Sequence, residues 1–390
     1  ITRLFGEGST TVSGMNVNNT TGGNDVSSCI LIEDPAAAKI CKTFAYCLLL
    51  VVSLIGNTLI IMVVYRDDKM KTTTNLLIVN MAVSDLLVPI FAMPRANVEI
   101  IFGNLRWLID GVLGEVLCKL TAFFQDISTL VSVQTLVAIA VDRFYAVWFP
   151  LKAARIKPKV KYVILLIWLI STVIHAPYLY GFQIRTFNDG KTYCFLGWSP
   201  DFAKIVFLLL ITLIYVVPLI LITTFYGLIV QKLRKQTLYG VRNLVVHFSR
   251  REKRNRNVLK MSLAIVVVFF FSMSPFVVYL SIDLFGPVGS LCLSKNFRFV
   301  TQYLVHCNGA LNFFTYFIFN QSYRHGFLMI LSRVFCASPY RCRWKKEVVL
   351  TSPPTRGQSY SVVRGTINYG LDSAQKDVVL TQLRSLHEID

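Results

Sequence analysis

The stretch LTAFFQDISTLVSVQTLVAIAVDRF, residues 120–144, is a long, mostly apolar run from Leu120 to Val141 that ends at Asp142-Arg143-Phe144. An apolar run of about 20 residues is long enough to cross the hydrocarbon core of a bilayer as a helix. Aspartate and arginine are costly at membrane depth. The stretch therefore predicts a membrane-spanning helix whose charged pair lies at a membrane interface.

Six further apolar runs surround this stretch, and the composition of the whole chain agrees with them. The chain is 54% hydrophobic and only 16% charged, and its mean hydropathy of +0.55 is far above that of a soluble domain. The pattern predicts an all-α membrane protein, a seven-transmembrane helix bundle with its termini on opposite sides. The runs lie near 44–65, 75–98, 116–141, 161–180, 203–230, 258–282 and 298–319.

The basic residues predict the orientation of the bundle. Segment 231–260 carries ten lysines and arginines against the single acid Glu252, and segment 152–161 carries five with no acid. The positive-inside rule places both segments in the cytoplasm and the N-terminus outside the cell. We therefore expect a multi-pass plasma-membrane protein in contact with lipid. The net charge of +19 is explained by topology, and no nucleic-acid partner is expected.

Four regions follow from this topology. Residues 1–43 are expected to form a disordered extracellular tail with glycan sites at Asn18 and Asn19, and residues 44–319 to form the bundle. Residues 320–335 form a short amphipathic eighth helix on the membrane surface, and residues 336–390 form a polar cytoplasmic tail. Because the chain begins at Ile1 and not at methionine, we expect its start to be missing.

Cysteines on the outer side allow two disulfides. Cys118 begins the third run and Cys194 lies in the loop before the fifth, so the two either form a bridge or remain free thiols. Cys29 and Cys292 form a second outer pair for which the same alternatives hold. On the cytoplasmic side, Cys336 and Cys342 are candidate palmitoylation sites.

Isolated polar residues interrupt the apolar runs. A buried carboxylate needs a partner, a cation or a proton, and sodium prefers hard oxygen ligands. The set predicts either an allosteric sodium site or a water-filled hydrogen-bond network. Its members are Asn57, Asp85, Ser132, Asn308 and Asn312.

These features resemble the rhodopsin-like (class A) G-protein-coupled receptors over roughly residues 40–335. Each motif alone is weak, but a set in order, with one group per run, is specific. The resemblance rests on Gly56-Asn57, the segment from Asn80 to Leu87, Cys118, Asp142-Arg143-Phe144, Pro150-Leu151, Trp168, Pro177, Pro218 with Tyr226, Phe269 with Pro275, and Asn312 with Tyr316.

The resemblance implies a receptor and not an enzyme. An extracellular ligand would shift the bundle toward a form that activates a heterotrimeric G protein, with arrestin and a receptor kinase as further partners. It also implies the Cys118–Cys194 disulfide and favours the sodium ion over the water network. The residues that it assigns to activation are Asp142, Arg143, Phe144, Tyr226, Phe269, Pro275, Asn312 and Tyr316.

Several positions depart from the family pattern. Phe144 stands in place of the usual tyrosine, and Met273 stands in place of the usual tryptophan before Pro275. The seventh run lacks the usual proline after Asn312. Asn255, at the base of the sixth run, carries no carboxylate to hold Arg143, which predicts a weak inactive-state lock and some basal signalling.

The predicted ligand is a peptide. Gln125 occupies the position at which amine receptors carry an aspartate, and it resembles the residue in neuropeptide Y-like, orexin-like and RFamide-like receptors. His306 replaces the Schiff-base lysine of the opsins, which excludes retinal. A ring of acids around the outer mouth suits a basic, amidated neuropeptide. The acids are Glu99, Asp110, Glu115, Asp126, Asp189, Asp201 and Asp283. The candidate ligand-binding residues are Gln125, Asp126, Glu99, Asp283, Tyr279, Tyr303 and His306.

A non-peptide ligand, such as a biogenic amine or a lipid, is the alternative. Asp126, next to Gln125, would then pair with a ligand ammonium group. Other protein classes fit less well: the sequence has no internal repeat of the kind found in transporters, and its five histidines are scattered and do not suggest a catalytic site.

Overall fold

The computed structural model describes residues 34–149, 160–187, 190–238, 245–285, 295–335, 345–349 and 362–366. These residues fall into two units, which divide between Arg324 and His325. The first unit contains the helices of the predicted spans and a small sheet. The second contains the end of the last helix and a β-hairpin.

Seven helical spans form, as the apolar runs predict. The first is α1 (Ala36–Arg66), and the second consists of α2 (Thr73–Asp85), a π-helical turn (Val88–Ala92) and α3 (Met93–Phe102). The third is α4 (Gly111–Trp148), the fourth α5 (Val160–Gly181), and the fifth α6 (Pro200–Ile211), a π-helical turn (Thr212–Val216) and α7 (Val217–Leu238). The sixth is α8 (Val245–Phe285) and the seventh α9 (Lys295–Phe319), after which α10 (Gln321–Phe335) follows.

The helices extend beyond the apolar runs at several ends. The first helix begins at Ala36, within the predicted tail of residues 1–43. The sixth helix begins at Val245, within the basic segment. Helix hydrogen bonding does not stop where the apolar side chains stop, and basic residues are good helix formers.

The seventh span differs from the others in composition. Within the described residues, six helical stretches are long and apolar enough to cross a membrane by length and composition, and Lys295–Phe319 is not among them. It contains the buried polar residues Thr301, His306, Asn308 and Asn312. Because these side chains lie inside the bundle, they lower the hydropathy of the helix without exposing polar atoms to lipid.

Prolines lie at the π-helical turns of two spans and inside the helices of two others. Pro89 lies in the π-helical turn of the second span, and Pro218 follows the π-helical turn of the fifth. Pro177 and Pro275 lie inside α5 and α8. Proline removes one backbone donor and clashes with the preceding turn, so the helix must widen or bend there.

Hydrogen bonds between polar side chains join the second, third and fourth spans. The Asn80 amide donates to Thr135 Oγ1 at 2.9 Å, and the Trp168 indole donates to Asn80 Oδ1 at 2.8 Å. Both motif residues of the predicted family therefore have a direct structural role, because they fix three neighbouring helices at one level.

A three-stranded antiparallel sheet covers one end of the bundle. It contains β1 (Arg106–Trp107), β2 (Phe182–Thr186) and β3 (Thr192–Leu196) in the order β1-β3-β2. Cys194 lies opposite Ile184 in the register. We call this end of the bundle the hairpin end. The sequence analysis did not predict these strands, which are too short to stand out beside long apolar runs.

The second unit contains a hairpin of β4 (Lys345–Val349) and β5 (Val362–Thr366), with Val349 opposite Val362. These strands fall in the region predicted as a polar tail. In α10, Tyr323, Phe327 and Ile330 are buried, and Leu331 is 38% exposed. The predicted all-α class is confirmed by the bundle, with the strands as short additions.

Candidate functional site

A disulfide joins Cys118 to Cys194, with its Cα atoms 5.9 Å apart. The bond fixes β3 to the start of the third span, and Trp107 packs against it. The Trp107 indole donates to the Gly114 carbonyl at 3.0 Å, which ties β1 to the same helix. The predicted bridge is confirmed, and it holds the sheet over the end of the bundle.

Beneath the sheet lies a cavity of about 420 Å³. Residues from β2, β3 and the second to seventh spans contribute to its wall. Gln125, Asp126 and Asp283 line it, as predicted for ligand-binding residues. The fifth and sixth spans supply mostly apolar side chains, including Phe207 and Phe276. A mostly apolar wall with a few polar groups is typical of a ligand-binding cavity.

Glu99, also predicted to bind the ligand, is not among the residues that line this cavity. Its carboxylate accepts from Arg95 Nε at 3.0 Å and from Arg298 Nη2 at 3.3 Å, and it is only 12% exposed. The two arginines do line the cavity. Sequence reasoning selected the acid and missed its partners, because a count of acids does not reveal which are paired.

Most of the other predicted acids near this end also have partners. Asp110 accepts from Thr192, Glu115 pairs with Lys119 at 2.7 Å, and Asp201 pairs with Lys204 at 3.5 Å. Asp189 lies outside the described residues. The predicted acidic ring is therefore reduced, within the described residues, to Asp126 and Asp283 as carboxylates in the cavity wall.

Three further predicted ligand-binding residues lie away from the main cavity. Tyr303 stacks with Phe299, and its hydroxyl donates to the Ala45 carbonyl at 3.3 Å. Tyr279 packs against aromatic neighbours, with its ring 6.2 Å from that of Phe297. His306 lies beside Tyr46 and lines a smaller cavity described below.

Asp126 is held by a residue of the fourth span. Tyr178 and His175 both lie close enough to the Asp126 carboxylate to interact with it electrostatically. His175 Nδ1 donates to the Ser171 carbonyl at 3.0 Å. All three side chains line the cavity. The signal in the sequence that could have revealed this group of side chains is His175, a histidine within the fourth apolar run.

A second, smaller cavity of about 20 Å³ lies deeper in the bundle, beside Asp85, Ser132 and Asn308. Asp85 accepts from Ser132 at 2.9 Å and from Asn312 Nδ2 at 2.9 Å. Asn57 Nδ2 donates to Ser53 and, at 3.4 Å, to the Gly309 carbonyl. The structure thus brings together the five polar residues predicted from the sequence.

Three buried oxygens near this cavity accept no hydrogen bond from any described residue. They are Asn57 Oδ1, Asn308 Oδ1 and Asn312 Oδ1. Unpaired buried oxygens around a carboxylate are a suitable environment for a small hard cation. Gly309 keeps the space open, because a Cβ there would lie 3.0 Å from Asp85 Cβ.

Met273 lines both cavities, as do Gln125, Thr129 and Val305. It is 6% exposed and occupies the position at which the family usually has tryptophan. Next to it, Ser274 bonds the Tyr215 hydroxyl at 2.6 Å across the fifth and sixth spans. Tyr215 lines the main cavity, so it connects the cavity wall to the residue before Pro275.

At the opposite end of the bundle, Arg143 is held by the second and third spans. Its Nη2 donates to Asp142 Oδ2 at 2.6 Å and also to Thr74 Oγ1. Thr74 in turn donates to Asp142 Oδ2 at 2.9 Å. This closed triangle was not predicted, since Thr74 is far from Arg143 in sequence.

The other residues assigned to activation are spread along the bundle, from Asn312 beside Asp85 to Tyr226 near Arg143. Tyr226, Phe269 and Tyr316 are buried, with Tyr316 stacked on Tyr323 at 5.5 Å. Phe144 contacts Phe225 of the fifth span at 5.2 Å. Of the remaining predictions, Asn18, Asn19, Cys29, Cys292, Cys336 and Cys342 lie outside the described residues.

Replacing Thr74 by valine should raise ligand-free signalling about fivefold, because one hydrogen bond in such a network contributes about 1 kcal/mol. The hydroxyl supports Asp142 and Arg143 together. The measurement is G-protein activation in cells at matched surface expression. Thr73→Val is the matched control, since Thr73 lies one residue away and is less buried. Unchanged or lower basal signalling in Thr74→Val would contradict this role.

Comparison with known proteins agrees with this geometry. The model of the seven-transmembrane receptors of the rhodopsin family matches residues 56–316. A neuropeptide FF receptor 2 of Mus musculus is 32% identical over 308 residues, covering 73% of this chain and 70% of that receptor. A QRFP-like peptide receptor of Branchiostoma floridae is 27% identical over 318 residues, covering 78% of this chain and 81% of that receptor.

A galanin receptor 2b of Danio rerio is 26% identical over 316 residues, covering 80% of this chain and 79% of that receptor. The matched region begins at Gly56. It includes the residues that line the two cavities and the triangle of Arg143 with Asp142 and Thr74. The chain therefore belongs to the rhodopsin family of seven-transmembrane receptors.

Proposed function

We propose that this receptor binds an extracellular peptide, most simply an amidated neuropeptide, in the cavity under the sheet and then activates a heterotrimeric G protein. The observation that carries the proposal is the cavity of about 420 Å³ with Gln125 and Asp283 in its wall. The similarity to receptors named for neuropeptide FF and for a QRFP-like peptide supports a peptide ligand.

The orientation belongs to the same proposal. The basic segments 152–161 and 231–260 put the Arg143 end in the cytoplasm, so the hairpin end faces the outside of the cell. The plasma membrane is the expected location. Arrestin and a receptor kinase would act on the C-terminal tail, and lipid would contact the exposed apolar faces of the spans.

The mechanism is a shift between two forms of the bundle. A peptide that binds one form of the cavity better biases the bundle toward it. The kink at Pro275 lets the sixth span move at its cytoplasmic end, and Arg143 then leaves Asp142 and Thr74. By linkage, a bound G protein raises agonist affinity by the same factor.

Sodium would act in the opposite direction. Asp85 and Ser132, with the unpaired oxygens of Asn57, Asn308 and Asn312, would hold the ion in the smaller cavity. The ion would supply positive charge that ties the third and seventh spans together, and so would favour the closed form.

The first experiment expresses the chain with a promiscuous G-protein α subunit and measures calcium release in response to amidated neuropeptides and biogenic amines. We expect one amidated peptide to act at nanomolar concentration. Gln125→Ala and Asp283→Asn should each lower its potency about tenfold, as expected for one polar contact in a buried wall. Lys119→Gln is the control, since Lys119 pairs with Glu115 at the helix surface.

An amine ligand is the second candidate, because the Asp126 carboxylate lies in the cavity wall. A response to an amine that survives Gln125→Ala but is lost in Asp126→Asn would favour it. Silence of all peptides in that same assay would overturn the peptide proposal and leave the receptor family unaffected.

A further inference from the structure

Charges of opposite sign line the main cavity from different spans. The wall formed by the second and seventh spans carries Arg95 and Arg298, whereas Asp126 and Asp283 lie on the third and sixth spans. Lys204 also lines the cavity but pairs with Asp201. The cavity therefore has one basic wall and one acidic wall.

The basic wall carries a net positive charge. Two guanidinium groups share the one carboxylate of Glu99, at 3.0 Å and 3.3 Å. Within the part of the chain that the structure describes, neither arginine has a second carboxylate within ion-pair distance. Two guanidinium groups against one carboxylate leave one positive charge without an ion-pair partner on this wall, and the Arg95 guanidinium also lies within electrostatic range of Asp126.

This positive charge is partly shielded from water and held in place. Arg95 is 14% exposed and Arg298 is 27% exposed. The Arg95 guanidinium also lies over the Phe182 ring of β2, 5.8 Å from its centroid. A guanidinium carries five N–H donors in a planar arrangement that matches a carboxylate. Each arginine uses one nitrogen on Glu99, so further donors remain for a ligand.

We propose that the ligand of this receptor carries a carboxylate that binds to Arg95 and Arg298. The inference rests on the proposed function, and it adds an acidic group to a ligand that the acids of the sequence suggested to be basic only. In an amidated peptide the C-terminus is neutral, so the carboxylate belongs to an aspartate or glutamate side chain. A basic group of the same peptide faces Asp283 and Asp126.

The test uses synthetic amidated peptides from the active series in matched pairs, with glutamate or glutamine at one position. On the wild-type receptor we expect the glutamate peptide to be about 10–100-fold more potent, as for a charge-assisted contact. In Arg95→Gln and Arg298→Gln this preference should disappear. In Lys204→Gln, which removes a cation from another wall, the preference should remain.

Glu99→Gln provides a change in the opposite direction. It removes the competing carboxylate, so we expect the glutamate peptide to gain potency relative to the glutamine peptide. A variant that merely folds poorly would lose potency for both peptides equally. Free-acid versions of the same peptides identify the source of the carboxylate: a preference for the free acid that requires Arg95 would assign the site to the C-terminus.

Equal potency within every pair on the wild-type receptor would overturn the carboxylate site and leave the peptide proposal intact. If no peptide is active, the peptide proposal fails. Thermal melting of the purified receptor with a set of non-peptide carboxylates then tests the carboxylate site by itself. Stabilisation of the wild type but not of Arg95→Gln would support the site. No stabilisation by any of them would overturn it.

Discussion

Replacing Cys194 by serine should abolish high-affinity peptide binding and destabilise the receptor by about 2–5 kcal/mol, the usual effect of losing a native disulfide. The bond to Cys118 spans 76 residues of chain. It holds β3, whose Phe195 and Leu196 line the cavity. Without it, the roof of the cavity loses its covalent attachment to the third span. Surface binding of the most potent peptide and thermal melting of the purified receptor measure both effects.

Two controls separate the bond from its thiols. The double variant Cys118→Ser/Cys194→Ser should resemble the single one, because both lose the same bond and only the single one keeps a free thiol. Cys307→Ser should have little effect, since Cys307 is a free, partly buried cysteine of the seventh span. Peptide affinity within about threefold of wild type in Cys194→Ser would show that the strands hold the roof without the bond.

The spans were predictable because length and apolar composition decide whether a helix crosses a bilayer. The irregular features were harder to predict. The strands Phe182–Thr186 and Thr192–Leu196 depend on a covalent bond and on pairing between distant segments. The seventh helix is less apolar than the others because its polar residues lie inside the bundle, yet its apolar run at 298–319 was still long enough to predict a span.

Residue types at the site were predicted better than their pairing. The sequence placed Asp85 with Ser132 and Asn312, and the structure joins all three by hydrogen bonds. For Glu99 it failed, because Arg298 lies 199 residues away along the chain. The sign of the electrostatic potential in the cavity depends on such long-range pairs. The acids in the sequence alone suggested a basic ligand, whereas the structure shows a cavity wall with basic residues as well as acidic ones.

Replacing Asp85 by asparagine should remove the effect of sodium on agonist potency. Asp85 is 3% exposed, and its carboxylate provides the negative charge beside the smaller cavity. Coupling between two sites is typically about 5–150-fold, and we expect sodium to lower the potency of the peptide within that range on the wild type. In Asp85→Asn the neutral side chain keeps its size but loses the charge that attracts a cation, so the shift should fall below about twofold.

The measurement compares peptide potency in sodium with that in N-methylglucamine at equal ionic strength, which keeps the screening of surface charges constant. Asp126→Asn is the matched control: it makes the same chemical change at a carboxylate of the main cavity, away from the smaller one, so the sodium shift should persist. Ser132→Ala, which removes one oxygen near Asp85, should reduce the shift without abolishing it. A full sodium shift in Asp85→Asn would instead assign the buried polar residues to a hydrogen-bond network filled by water, because water, unlike a cation, does not require the negative charge.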